Sequence, residues 1–66
     1  MESLKVLGKN LRAVREKKHI SQKDAELKTG KKQGYISKLE NGEINITYKN
    51  LVAYCNALDF SPIQVV

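Results

Sequence analysis

Gln33, Gly34, Ser37 and Lys38 are the residues of this chain whose types and spacing could do chemistry together. On a helix running from about Gln33 to Asn41 they share the outer side, while Ile36, Leu39 and Tyr35 turn toward a core. That outer side is short-chained, carries one charge, and offers groups that both donate and accept hydrogen bonds. Such a face suits the edges of bases in a DNA major groove, where Gln pairs with adenine and Lys with guanine. Lys31 and Lys32 stand just ahead of it, and Asn41-Gly42 closes it, Gly42 being the expected left-handed stop. Taken alone, the same stretch also fits an ordinary amphipathic helix with a solvated outer side.

No competing chemistry stands out elsewhere. His19 and Cys55 are the only residues of their types, and Cys55 falls on the apolar side of a later helix, so neither a catalytic pair nor a metal site is expected. One cysteine excludes an internal disulfide framework and fits a reducing, cytoplasmic setting. The longest apolar run, Leu51 to Cys55, is far short of a membrane span, and Met1-Glu2-Ser3 lacks the layout of a secretory signal. No cofactor or small-molecule ligand is implied.

The formal charge of +5 is unevenly placed. Residues 1–42 hold eleven Lys/Arg against five Asp/Glu, and residues 43–66 hold one against two, giving +6 and −1. A basic lobe beside a near-neutral tail favours a polyanionic partner.

The elements that would position these residues are short helices in a single domain, 1–66. Helix 1 is expected from Ser3, its N-cap, to Lys18, with Leu4, Leu7, Leu11 and Val14 inward and Lys5, Lys9, Arg12, Lys17 and Lys18 outward. Gly8 within it suggests a close helix crossing. His19 stands at the stop, a non-glycine residue that tolerates positive φ. Ser21, with Asp24 as capping-box partner, starts helix 2, which runs to Thr29 and ends at Gly30. Two short helices joined by so tight a turn make a helix-turn-helix over about 21–42. A loop from Glu43 to Ile46 leads to Thr47, the cap of helix 4, about Tyr48 to Leu58. Its apolar side is read as Tyr48, Leu51, Val52, Tyr54, Cys55 and Leu58, with Asp59 at a second non-glycine stop. Ser61-Pro62 is an N-cap and first-turn proline, and Ile63 to Val66 would open a fifth helix.

Leu7-Gly8-Lys9, Leu11-Arg12, Val14-Arg15, Ile20-Ser21-Gln22, Thr29-Gly30, Tyr35-Ile36-Ser37-Lys38-Leu39-Glu40-Asn41-Gly42 and Ala57-Leu58 with Ser61 together resemble the Cro/repressor-type helix-turn-helix family, the xenobiotic-response-element type. The resemblance spans about residues 4–66 and needs no insertion. It implies an all-α, compact five-helix, lambda-repressor-like domain that binds double-stranded DNA sequence-specifically, usually as a dimer. It also implies base-reading roles for Gln33, Ser37 and Lys38, Lys38 taking a base or a phosphate. Gly34 matches a base-reading position at which many relatives carry a longer side chain, so less base information is expected there. Gln22 and Asn41 match phosphate-contacting positions, and Arg15 with Glu40 matches an ion pair that joins helix 1 to the end of helix 3.

The sequence departs from the family pattern in places. Lys31 and Lys32 stand where relatives carry a small apolar residue and then Ser or Thr; helix 3 loses its side-chain cap, and two cations are gained for the DNA backbone. Glu26 falls where a small residue usually lets helices 2 and 3 approach, so either helix 2 rotates to pack Leu27 inward or Leu27 is exposed to a partner. Glu43 replaces a residue that is often basic, and Ile46 replaces a common proline. Two functions compete. One is a DNA-binding regulator of the phage-repressor or restriction–modification-controller kind, dimerising through helix 5 and the loop before helix 4. The other is an antitoxin or similar protein-interaction module that reuses the fold.

Overall fold

Ten buried apolar side chains, drawn from every helix and from the C-terminal segment, make one core: Leu11, Ala25, Ile36, Leu39, Leu51, Tyr54, Cys55, Leu58, Phe60 and Val65. The computed structural model describes residues 2–66, and the side chains from Ser3 onward. Among these residues are four α-helices, α1 (Glu2–Lys17), α2 (Gln22–Thr29), α3 (Gln33–Glu40) and α4 (Tyr48–Ala57), followed by a 3₁₀ turn at Pro62–Gln64, with no strand. Helix α3 packs on both α1 and α2, α4 lies against α2, and the 3₁₀ turn folds back on α4. The chain fills 27 × 23 × 21 Å.

The helices stop where the chain reverses its handedness. His19 (φ 59°), Gly42 (φ 74°) and Asp59 (φ 62°) are all left-handed. After each, the next amide reaches back to close a Schellman motif: Ile20 N–H to Arg15 O at 3.1 Å, Glu43 N–H to Lys38 O at 2.9 Å and Phe60 N–H to Cys55 O at 3.0 Å. Ile20 and Phe60 then tuck into or against the core, so the stops at His19 and Asp59 also aim the following segment inward. Gly30 (φ 74°) ends α2 with a single bond to Glu26 O at 2.9 Å.

The crossing anticipated at Gly8 is a backbone-to-backbone contact. A Cβ on Gly8 would lie 2.5 Å from the carbonyl oxygens of Leu39 and Glu40, and one on Gly42 would lie 2.7 Å from Lys5 Cα. The C-terminal end of α3 is thus seated on α1 between Lys5 and Gly8, three residues apart on one face.

Several expectations need correction. Helix α1 already includes Glu2, so Ser3 lies inside the first turn and does not cap it. Tyr48 is 71% exposed, because it opens α4 at the rim, before the helix reaches the core. The fifth helix is only the 3₁₀ turn Pro62–Gln64; Ser61 caps it through Ile63 N–H, and Gln64 Oε1 accepts from Ser61 N–H at 3.0 Å. Of the two arrangements open for α2, the exposed one holds: Leu27 is 76% exposed, Glu26 is half-buried and Ala25 alone on this helix is fully buried. No described helix is long and apolar enough to cross a membrane.

Candidate nucleic-acid interface

The turn between α2 and α3 is fixed by local hydrogen bonds. Ser21 Oγ accepts from Asp24 N–H at 3.0 Å and Asp24 Oδ2 accepts from Ser21 N–H at 3.4 Å, a complete capping box. At the other end Thr29 Oγ1 donates to Ala25 O at 2.7 Å and accepts from Lys31 N–H at 3.1 Å. That hydroxyl carries the chain round the corner after Gly30 and sets where α3 begins. Lys32, in extended backbone, is the N-cap of α3 and makes no side-chain capping bond. The first amides of α3 therefore point outward without a side-chain acceptor, at the positive end of the helix dipole. Lys31 leans over the Tyr35 ring, its Nζ 5.6 Å from the centroid, which holds its charge beside that same end.

Ile36 and Leu39 are buried and Tyr35 is half-buried, which turns the opposite side of α3 outward. Gln33, Gly34 and Lys38 are exposed there, and Ser37 is half-buried at its edge. Lys31 and Lys32 are exposed ahead of this face, and Asn41 is exposed behind it, its backbone N–H returning to Ser37 O at 3.0 Å. Among the described residues no side-chain hydrogen bond ties down Gln33, Ser37, Lys38 or Asn41. Positions 33, 34 and 38 thus form one open surface, with Ser37 at its half-buried edge.

Behind this surface lies a locked junction. Arg15, 6% exposed, donates from Nε to Glu40 Oε2 at 2.6 Å and from Nη2 to Glu40 Oε1 at 3.0 Å, a bidentate pair. Its Nη1 donates to Ile20 O at 2.6 Å, so one guanidinium ties the end of α1, the entry to α2 and the end of α3. The hydrogen bond to Glu40 raises the Arg15 pKa further against the opposing effect of burial. Gln22 belongs to this junction as well: it is half-buried and donates from Nε2 to Glu40 Oε1 at 3.1 Å. A primary amide has a second N–H, so Gln22 can stay on Glu40 and still offer a donor outward.

Two further ties escape local pattern reading, since nothing in their sequence surroundings marks them. Lys18 Nζ donates to Asp59 O at 2.7 Å, and Asn10 Nδ2 donates to Val65 O at 3.1 Å, fastening the C-terminal segment to α1 and to the turn that follows it. An apolar cleft opens beside that fastening, lined by Ser3, Val6, Leu7, Val65 and Val66. Val6 and Val66 on it are exposed, as is nearby-in-sequence Ile63. Cys55 is fully buried, its thiol pushed up to about 11 by desolvation. No cluster of three or more His, Cys, Asp or Glu residues that could hold a metal ion occurs among the described residues.

A family profile described as helix-turn-helix matches residues 11–65. An uncharacterized HTH-type transcriptional regulator, y4dJ, of Sinorhizobium fredii is 33% identical over all 66 residues, which cover 86% of that protein. Among solved structures, the restriction-modification controller protein C.AhdI from Aeromonas hydrophila superposes with a TM-score of 0.91 at 27% identity, each chain covered completely.

Proposed function

The chain belongs to the Cro/repressor-type helix-turn-helix family, and from that membership we propose that it is a DNA-binding transcriptional regulator of the restriction–modification-controller kind. The outer face of α3 carries the proposal. Gln33 and Lys38 project fully exposed, with Ser37 half-buried beside them, from a helix anchored on its other side by Ile36, Leu39 and Glu40. Laid in a major groove, Gln33 reads adenine and Lys38 reads guanine or grips the adjacent phosphate, with Ser37 completing the contact. Lys31, Lys32, the second N–H of Gln22 and the Asn41 amide hold the flanking phosphates. The likeness to a restriction-modification controller at 27% identity favours that kind over a phage-type repressor.

The active species is a homodimer on an inverted repeat, with half-sites about 34–36 Å apart. Its contact uses the C-terminal 3₁₀ turn and the apolar cleft between Val6 and Val66, whose lining residues carry no charged side chain. A self-association surface without charge is what a molecule of net +5 needs to pair with its own copy.

Selection from a random duplex pool, followed by a salt series on the winner, tests this. Enrichment of a short inverted repeat is expected, and Gln33→Ala and Lys38→Ala should each weaken binding by about 1–3 kcal/mol. Failure to enrich any sequence would reject the proposal. A second function has one observation in its favour, the 76% exposure of Leu27 on α2, which suits capture of a protein partner. Loss of that capture on Leu27→Lys, with Gln33→Ala and Lys38→Ala silent, would establish it instead.

A further inference from the structure

Three of the four glycines in this chain are required by its fold. Gly30 and Gly42 have φ of +74°, and a Cβ at Gly8 or Gly42 would come within 3 Å of neighbouring backbone. Gly34 has no such reason. It lies in helical backbone, it is exposed, and a Cβ built on it would meet nothing within 4 Å. Glycine in that situation weakens a protein, because it widens the freedom of the unfolded chain and returns nothing in the folded one.

The position explains what the fold does not. On the helix surface Gly34 neighbours Ser37 and Lys38, three and four residues on, and it follows Gln33 directly. The absent side chain leaves a notch in the centre of the face assigned above to DNA. We propose that Gly34 determines specificity as a point of close approach: a base-pair edge of the major groove packs against the α3 backbone in the space a Cβ would fill. This inference rests on the DNA-binding proposal and deepens it. The notch lets the helix sit low enough for Gln33 and Lys38 to meet base edges at hydrogen-bonding distance. Those bonds weaken steeply when stretched or bent, so a methyl group that props the helix outward disturbs all the readers at once. Lys31 and Lys32 reach phosphates on long flexible stems and adapt to the same displacement.

The test uses the full chain and the duplex selected by the unaltered protein. Gly34→Ala should melt at a higher temperature than the unaltered protein. It should bind the selected duplex about tenfold or more weakly. On a scrambled duplex of equal length its affinity should stay within about twofold, since that binding depends on phosphate contacts. Equal or tighter binding of the selected duplex would overturn the inference, as would an equal loss on both duplexes. A lower melting temperature would overturn it too, by showing that the fold needs this glycine. If the unaltered protein selects no sequence, the DNA-binding proposal itself fails, a result distinct from all of these.

Discussion

The two ends of α3 are built on opposite plans. At its C-terminal end the backbone touches α1 through Gly8, the Schellman bonds close on Gly42, and Glu40 accepts from Arg15 and Gln22. At its N-terminal end Lys32 supplies no side-chain cap, Lys31 adds charge, and Gly34 leaves space open. One end is tied into the protein through the carboxylate of Glu40 and the backbone at Gly8 and Gly42; the other leaves its first turn without a side-chain partner. A helix of eight residues cannot stand alone in water, so the first end must hold it for the second to be presented at all.

The largest test of this contrast is to break the locked end. Glu40→Ala leaves Arg15 buried without its carboxylate and should cost about 3–5 kcal/mol in chemical denaturation, whereas Arg15→Met with Glu40→Met together should cost far less. Equal losses would mean that the pair is not the anchor. Gly8→Ala should follow at about 3 kcal/mol, at the upper end for overpacking, because the obstructing atoms are carbonyl oxygens of Leu39 and Glu40. Its unfolding midpoint in urea reports this directly.

The dry side can also be titrated. The Cys55 thiol ionises near 9 when unfolded and is pushed up to about 11 by burial. Between those values the folded chain keeps a proton that the unfolded chain has lost. Stability is therefore undiminished below pH 9 and falls as pH rises toward 11, by about 2–3 kcal/mol in all. Burial and the nearby Glu40 carboxylate raise the Tyr54 phenol as well, so it adds to the same alkaline slope. Cys55→Ala should flatten the first part of the curve. An unchanged slope in that variant would show that the thiol is not responsible.

The smallest effect should come from giving the open end what it lacks. Lys32→Ser supplies a side-chain cap and should stabilise the domain by about 1 kcal/mol. It should also weaken DNA binding and reduce the slope of log affinity against log salt by about 0.9 for each copy bound. A gain in stability with the salt slope unchanged would move Lys32 away from the phosphates.

Much of this division was readable before any coordinates, and the reason is locality. The left-handed stops at His19, Gly30, Gly42 and Asp59, the capping box of Ser21 with Asp24 and the close crossing at Gly8 each follow from a few adjacent residues. What pattern alone left open or misplaced depends on the third dimension. Tyr48 matches the apolar spacing of α4 yet lies at the rim, and Leu27 could be assigned only once Ala25 was seen to be the buried residue of α2. The bonds from Gln22 to Glu40, Lys18 to Asp59 O and Asn10 to Val65 O join residues 18, 41 and 55 apart, beyond any periodicity. The outer face of α3 is legible as a surface, whereas the lack of any fold requirement for glycine at position 34 shows only in three dimensions, beside Gly8, Gly30 and Gly42.

The fastening of the C-terminal segment to α1 and the turn after it, through Asn10 and Lys18, has a consequence at the scale of the operator. Helix α1 carries α3 on the Gly8 contact, so a dimer joined near Val66 would connect its two α3 helices through the Asn10 bond and the packed backbone at Gly8. Such an assembly behaves as a ruler with no adjustable joint. One base pair inserted between half-sites moves the second site by about 3.4 Å and turns it by about 34–36° around the duplex axis. A rigid pair cannot follow that change of phase, and affinity for the spaced operator should drop to that of a single half-site.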